Sequence, residues 1–135
     1  MRPSRISRMV PGKSAVKAEA KKQRAARSHV ELVKMLPCCA TMSTAPSDPH
    51  HLMRGVERGI AMTAAGRYVV PLSRSVHTEI TPHGDPEAVL MERYGVPARE
   101  LADALWSVSP DVEAMLRIVH RTYWEAQQRL VRARE

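Results

Sequence analysis

The chain contains no phenylalanine, and only three tyrosines and two tryptophans among its 135 residues carry large rings. A hydrophobic core must therefore be built from aliphatic side chains, alanine and methionine, which fill a small interior. This limits the chain to one small domain at most. No apolar stretch approaches the roughly 20 residues that span a bilayer. We therefore expect no membrane span, and the charged N-terminus without an apolar segment indicates no secretory signal.

Positive charge is concentrated at one end of the chain. The formal net charge is +7, but residues 1–28 carry +8 whereas residues 29–135 carry −1. We predict a disordered basic arm over residues 1–28, in which residues 17–27 favour helix by propensity but have no apolar face and become helical only when a partner neutralises their charge. The arm is expected to contact nucleic-acid phosphates, the alternative being a solvated tail. The arm has no aromatic residue, which favours contact with the backbone over base stacking. Its candidate phosphate ligands are Lys13, Lys17, Lys21, Lys22, Arg24 and Arg27.

Residues 29–95 combine helical segments with one candidate hairpin, which predicts an α+β fold. Ser28 is placed to cap a leading helix over residues 29–35. A short hairpin is predicted to pair residues 51–53 with residues 68–70 across a connecting loop. We therefore expect a small mixed core that begins with a helix.

Capping residues divide the remainder of the chain into helices. They are Ser75 before residues 76–80, Asp85 before Pro86–Tyr94, Pro97 before residues 98–106, and Ser109-Pro110 before a helix that ends near Arg132. Gly95 closes the second of these helices. Residues 96–135 are therefore predicted to be helices that pack on the core.

Four of the six histidines fall within one segment that is poor in regular structure. They are His50, His51, His77 and His83. Histidine is the usual transition-metal ligand and the usual general base near neutral pH. Because adjacent residues of a strand point to opposite faces, His50 and His51 can serve two different roles. The alternative is that these are surface histidines without a chemical role.

Four short segments carry a family resemblance: LPCC at 36–39, DPHHL at 48–52, VPLSRSVHTE at 70–79 and GDPE at 84–87. Over about residues 29–107, the chain resembles the HNH, or ββα-metal, nucleases. The most similar branch is the phage one typified by the recombination enhancement function protein, a RecA-dependent nuclease. The resemblance implies a core in which a hairpin and a helix hold one divalent ion against the scissile phosphate.

The resemblance also implies a role for each residue of the histidine segment. His50 and His77 would bind the metal and His51 would be the general base, with Asp48 and His83 as further candidate ligands. Phosphodiester hydrolysis needs a base with a pKa near 7 and a cation that stabilises the developing charge. The expected cofactor is therefore one divalent ion, namely Mg²⁺, Mn²⁺ or Zn²⁺.

Many relatives also hold a structural zinc with four cysteines, and this chain departs from that pattern. Cys38, or Cys39, remains, while Thr41, Ser73 and Val76 stand at the other three positions. One thiolate cannot hold zinc, so we expect no structural zinc. Either packing has replaced the zinc or the domain has decayed.

Two further departures concern the histidine site itself. Gly66 stands where relatives place an Asp or Asn that orients the base. Thr81 stands where a further helix histidine is common, and His83 follows two residues later. Arg54 and Arg74 flank the histidines and are candidate contacts to the DNA backbone.

The sequence thus predicts a metal-dependent DNA endonuclease of phage or prophage type, acting in the bacterial cytoplasm with DNA and a RecA-type recombinase filament as partners. One alternative is a catalytically inactive HNH-fold DNA-binding or recombination accessory protein. Another is a small structural phage protein whose arm binds packaged nucleic acid. A shared metal requires imidazole nitrogens of His50 and His77 within about 4 Å of each other, because each lies roughly 2.0–2.2 Å from the ion.

Overall fold

The structure is a computed structural model that describes residues 12–52 and 66–135. In these residues, five helices surround a two-stranded antiparallel hairpin. In chain order the elements are α1 (Lys13–Lys34), β1 (Asp48–His51), β2 (Val69–Leu72), α2 (Arg74–Ile80), α3 (Pro86–Tyr94), α4 (Ala98–Val108) and α5 (Val112–Arg134). The predicted α+β class is confirmed, and the last third is helical as expected.

Helix α1 is one continuous helix, which corrects the predicted disordered arm over residues 13–28. Ser28 lies inside this helix and is not an N-cap. Three residues of one face are buried, namely Ala26, His29 and Val33, and they anchor the C-terminal half on the core. Once these turns are packed, the Ala, Lys, Arg and Gln residues before them extend the helix at low cost. Residues 1–11 lie outside the described residues.

The two strands pair with Asp48 opposite Leu72 and His51 opposite Val69. The first strand begins three residues before the predicted residues 51–53 and contains Pro49. The Leu52 N–H donates to the Tyr68 carbonyl at 2.9 Å, so these residues form a hydrogen-bonded pair. Because hydrogen-bonded and non-hydrogen-bonded pairs alternate along an antiparallel ladder, Pro49 and Pro71 face each other at a non-hydrogen-bonded pair, where no N–H is needed. Met53 and most of the connecting loop lie outside the described residues.

Of the four helix starts that follow the hairpin, two match the sequence prediction and two differ. Asp85 caps α3 by accepting from the Ala88 N–H, and Gly95 ends this helix at φ 71°. Helix α4 follows Pro97 as predicted and ends two residues later than expected. The cap of α2 is Ser73 and not Ser75, and the cap of α5 is Asp111 and not Ser109. In both corrected cases the capping oxygen accepts from the backbone N–H three residues ahead, which is the reach of a short polar side chain.

The core is aliphatic, as the absence of phenylalanine requires. Its largest fully buried hydrophobic side chains are Leu36, Leu72, Ile80, Leu90, Leu105 and Met115. All four residues of β2 are buried because α1, α2 and α4 pack around this strand. The hairpin is thereby fixed against three helices. None of the described helices combines the length and the hydropathy needed to cross a membrane.

Candidate metal centre and nucleic-acid interface

The hairpin and the residues around α2 form a cleft of about 250 Å³. The residues that line it are Pro49, His50, His51, His77, Thr81, His83, Gly84 and Pro86. All four histidines of the predicted cluster therefore lie around one cleft. The Thr81 hydroxyl donates to the His77 carbonyl at 2.5 Å, and His83 follows in the turn that ends α2.

His50 and His77 lie side by side in the cleft. Their ring centroids are 5.2 Å apart and the rings meet edge to face at 80°. The two side chains come from different elements, since His50 is a buried residue of β1 and His77 lies in α2. The fold therefore brings together the two side chains that the family resemblance assigns to the metal.

Glu87 orients the ring of His50. The distance between His50 Nε2 and Glu87 Oε2 is 2.9 Å, and both side chains are largely buried. Because a carboxylate only accepts hydrogen bonds, Nε2 carries the proton and Nδ1 keeps the lone pair. Burial lowers the pKa of His50, although the hydrogen bond to Glu87 acts in the opposite direction. His50 is therefore a neutral imidazole near pH 7, which is the form that binds metals.

Sequence reasoning did not assign Glu87 to the site. An acidic residue in the first turn of a helix is commonly explained by the helix dipole, and that explanation suffices for Glu87 when α3 is considered alone. The available signal was the GDPE segment, which fixes Glu87 two residues after the capping Asp85 and so at the edge of α3.

Asp48 orients the ring of His77 in the same way. The distance between His77 Nδ1 and Asp48 Oδ2 is 3.2 Å, and the Arg74 Nε–H donates to the same oxygen at 2.8 Å. These hydrogen bonds, first from Arg74 and then from His77, lower the pKa of Asp48. Asp48 was predicted as a further candidate ligand, and here it is a carboxylate that supports His77. The Arg74 side chain is 83% exposed at the rim of the site.

His51 occupies the exposed side of β1 and still lines the cleft. Desolvation of its ring, followed by the nearby His50, lowers the pKa of His51. The ring is therefore unprotonated near neutral pH. In this state His51 can accept a proton from a water molecule in the cleft.

A divalent ion in this cleft would need donor atoms from the surrounding side chains. Among the residues that the structure describes, no group of three His, Cys, Asp or Glu side chains is placed to hold a metal. Two imidazoles that are each oriented by a carboxylate are nevertheless typical of metal-binding histidines. Such a pair leaves several coordination positions for phosphate and water. The chemistry of His50 and His77 therefore fits a catalytic metal ion that also binds its substrate.

Two of the positions that the family resemblance assigns to a structural zinc, Thr41 and Ser73, contact Cys38. Burial raises the pKa of the Cys38 thiol, but hydrogen bonds with the Thr41 side chain and with backbone groups that include Ser73 lower it to below its usual value. The Ser73 hydroxyl also accepts from the Val76 N–H at 3.3 Å. Hydroxyl and backbone hydrogen bonds thus hold this turn. Cys39 is fully buried, and burial raises the pKa of its thiol.

Gly66 packs directly against helix α1. A Cβ atom at this position would lie 2.9 Å from the Cβ of Ala26, which is closer than real Cβ contacts allow. An Asp or Asn at position 66 is therefore incompatible with this packing. The residue that the family resemblance implies for orienting the base therefore has no room at Gly66.

Five of the predicted phosphate ligands form one exposed row along α1, which we call the basic stripe. It consists of Lys13, Lys17, Lys21, Arg24 and Arg27. Their spacing of three or four residues places them within about 120° of arc and along about 21 Å of helix. The buried residues Ala26, His29 and Val33 lie on the opposite side, so the basic stripe faces solvent. Lys22 is exposed outside the stripe, and Arg54 lies outside the described residues.

Comparison with known proteins gives one family match. A family model described as "Protein of unknown function (DUF968)" matches residues 10–107. This range contains the basic stripe and the whole histidine cleft, and it ends before α5. No match was found among curated proteins or among solved structures.

Proposed function

The chain belongs to the DUF968 family of proteins of unknown function, and from its own residues we propose that it is a metal-dependent DNA endonuclease of the HNH type. One observation carries the proposal. His50 and His77, each paired with a carboxylate, face each other in a cleft whose wall also includes the neutral His51. Two metal ligands and a general base beside them are the minimum set for hydrolysis of a phosphodiester.

Each side chain of the cleft has a defined role in this proposal. His50 and His77 would hold the divalent ion, and Glu87 and Asp48 keep their rings in the required tautomers. His51 accepts a proton from the water that attacks phosphorus. When bound, the ion would stabilise the charge on the phosphate and on the leaving oxygen.

The basic stripe would hold the DNA while the cleft acts on it. Five exposed cations along about 21 Å of one helix suit the phosphates of a duplex, and such contacts read no sequence. Arg74 at the rim of the cleft adds a cation close to the scissile bond. The family resemblance supports a phage or prophage nuclease that meets its DNA in the bacterial cytoplasm, with a RecA-type filament as a partner.

A second candidate is an accessory protein that binds DNA without cleaving it. The contact between Gly66 and Ala26 favours this reading, because it leaves no room for a residue that orients the base. The two candidates share the basic stripe and differ only in the chemistry of the cleft.

Nicking of supercoiled plasmid separates these candidates. The protein is incubated with Mg²⁺, Mn²⁺ or Zn²⁺ in turn, and with EDTA. We expect open circles only when a metal is present, and we expect the double variant His50→Ala/His77→Ala to lose nicking while it still retards duplex DNA. The exposed Gln128→Ala variant is the control and should nick normally. Retardation of the plasmid without nicking under every metal would support the accessory protein.

A further inference from the structure

Helix α5 carries a large groove on its outer surface, separate from the histidine cleft. The groove has a volume of about 960 Å³ and lies between Met42 and the stretch of α5 from Leu116 to Trp124. Trp124 is 63% exposed and Leu116 is 38% exposed. Exposed tryptophan and tyrosine rings are enriched at binding surfaces, so this groove is a candidate binding site.

The charges around the groove indicate the sign of that ligand. Arg117, His120 and Arg121 line it together with the rings of Tyr123 and Trp124, and no acidic side chain is among the described residues of its lining. Along its whole length α5 has five arginines and two glutamates. The groove therefore suits an anion that also presents flat apolar surfaces.

We propose that this groove binds unpaired DNA, with bases stacked on Trp124 and Tyr123 and phosphates paired with Arg117 and Arg121. Exposed aromatic rings beside arginines are the composition of surfaces that bind single strands. Bases of a duplex are already stacked and cannot use such a surface. The proposal rests on the proposed function in taking DNA as the ligand, but it does not depend on hydrolysis.

The groove complements the basic stripe. The stripe is a row of cations without an aromatic residue, so it can contact backbone phosphates but cannot stack with bases. The groove supplies the missing rings, and its rings and arginines lie on α5, outside the residues 10–107 that match the family. In this proposal the contacts to unpaired strands therefore come from α5, and the matched region adds Met42 to the wall of the groove.

A second copy of the chain suits the groove less well. In a two-fold contact the same patch of each copy faces the other, which would bring Arg117 and Arg121 of both copies together. Such like charges repel each other unless an anion lies between them. The phosphates of a DNA strand would instead neutralise these arginines, and we therefore assign unpaired DNA as the occupant of the groove.

The test uses the full chain in EDTA, so that no cleavage interferes. Fluorescence anisotropy measures binding of a labelled oligothymidylate of about 15 nucleotides and of a duplex of the same length. We expect Trp124→Leu to weaken binding of the single strand roughly tenfold and Trp124→Phe to keep most of it, because a phenyl ring still stacks. Duplex affinity should stay unchanged in both variants. Val131→Ala, an exposed apolar residue of α5 outside the groove, is the control and should bind like the wild type.

Three results would overturn the proposal. One is an unchanged affinity of Trp124→Leu for the single strand, and another is an equal loss for single strand and duplex. The third is a wild-type dimer in sedimentation that becomes monomeric in Trp124→Leu without a change in DNA affinity, which would assign the face to a second copy. A protein that never nicks plasmid in any metal but shows Trp124-dependent binding of the single strand would refute the nuclease and support the groove.

Discussion

The Nε2 atom of His50 lies 2.9 Å from the carboxylate of Glu87, although the two residues are 37 positions apart in the sequence. This contact joins the first strand of the hairpin to the first turn of α3 and fixes the tautomer of a buried imidazole. With Asp48 behind His77, it gives each proposed ligand its own carboxylate. The geometry of the site thus depends on two acidic residues as well as on the histidines.

Glu87→Gln should weaken metal binding by roughly 10- to 100-fold, because an amide can also donate to Nε2 and no longer fixes the tautomer of His50. Titration of the protein with Mn²⁺ in a calorimeter measures the affinity, and circular dichroism checks the fold. The matched control is Glu92→Gln, which makes the same charge change at an exposed position of α3. Equal Mn²⁺ affinity in both variants would remove Glu87 from the site.

Replacement of Lys17, Lys21 and Arg24 by glutamine should reduce the salt dependence of duplex binding. Each phosphate contact contributes about 0.9 to the slope of log affinity against log salt concentration, so the triple variant should lose roughly 2.7 from this slope. Lys34→Gln is the control, since Lys34 lies at the other end of α1 and pairs with Glu31 at 2.7 Å. A slope that does not change in the triple variant would show that the stripe does not contact DNA.

His29 is a histidine of the core and not of the cleft. Its Nδ1 lies 2.9 Å from the Ser109 hydroxyl and its ring packs edge to face on Trp106. The Nε2 atom has no hydrogen-bond partner among the described residues. Burial lowers the pKa of His29 to about 4, so the folded protein holds this ring neutral.

The stability of the fold should therefore fall in acid through His29. Above pH 6.5 neither state protonates this ring, but between pH 6.5 and about 4 the unfolded chain binds a proton that the folded chain rejects. The loss reaches about 3 kcal/mol at the lower end of this range. Urea unfolding from pH 7 to pH 4 should show a flatter curve for His29→Gln than for the wild type. The exposed His120→Gln variant should retain the wild-type curve, and a wild-type curve for His29→Gln would contradict the assignment.

The turn at Cys38 offers a test of the family resemblance that does not involve catalysis. In the double variant His50→Ala/His77→Ala, which lacks the proposed metal ligands of the cleft, we expect EDTA to leave the unfolding midpoint unchanged. The variant Thr41→Cys/Ser73→Cys/Val76→Cys should bind a Co²⁺ ion at this turn with the visible spectrum of a tetrahedral thiolate site, because Thr41 and Ser73 contact Cys38 and the Val76 N–H donates to Ser73. Addition of Cys38→Ser should abolish this spectrum. Failure of the triple variant to bind cobalt while it remains folded would show that the four positions do not form the zinc site of HNH relatives.

Local signals in the sequence were sufficient for several parts of the fold. The cap at Asp85 and the stop at Gly95 follow from the chemistry of single residues, and both are confirmed. These two features depend on neighbours within a few residues, which a sequence displays directly. The histidines were grouped by the family resemblance, and the structure brings all four around one cleft.

Other features depend on contacts between distant segments and could not be predicted. Helix α1 extends through the basic arm because Ala26 and His29 are buried by elements that follow much later in the chain. The role of Glu87 depends on where α3 packs relative to β1. Position 66 has no room for a side chain because Ala26 of α1 lies close to it, and nothing in the local sequence indicates this contact.

Plasmid nicking by His51→Ala tests the catalytic assignment most directly. Wild type, His51→Ala and the exposed control Gln128→Ala are compared at saturating plasmid in the metal that supports the fastest nicking. Loss of the general base should slow nicking by roughly 10²- to 10⁴-fold while duplex affinity and the unfolding midpoint stay unchanged. Nicking by His51→Ala at the wild-type rate would contradict the assignment of His51 as the base.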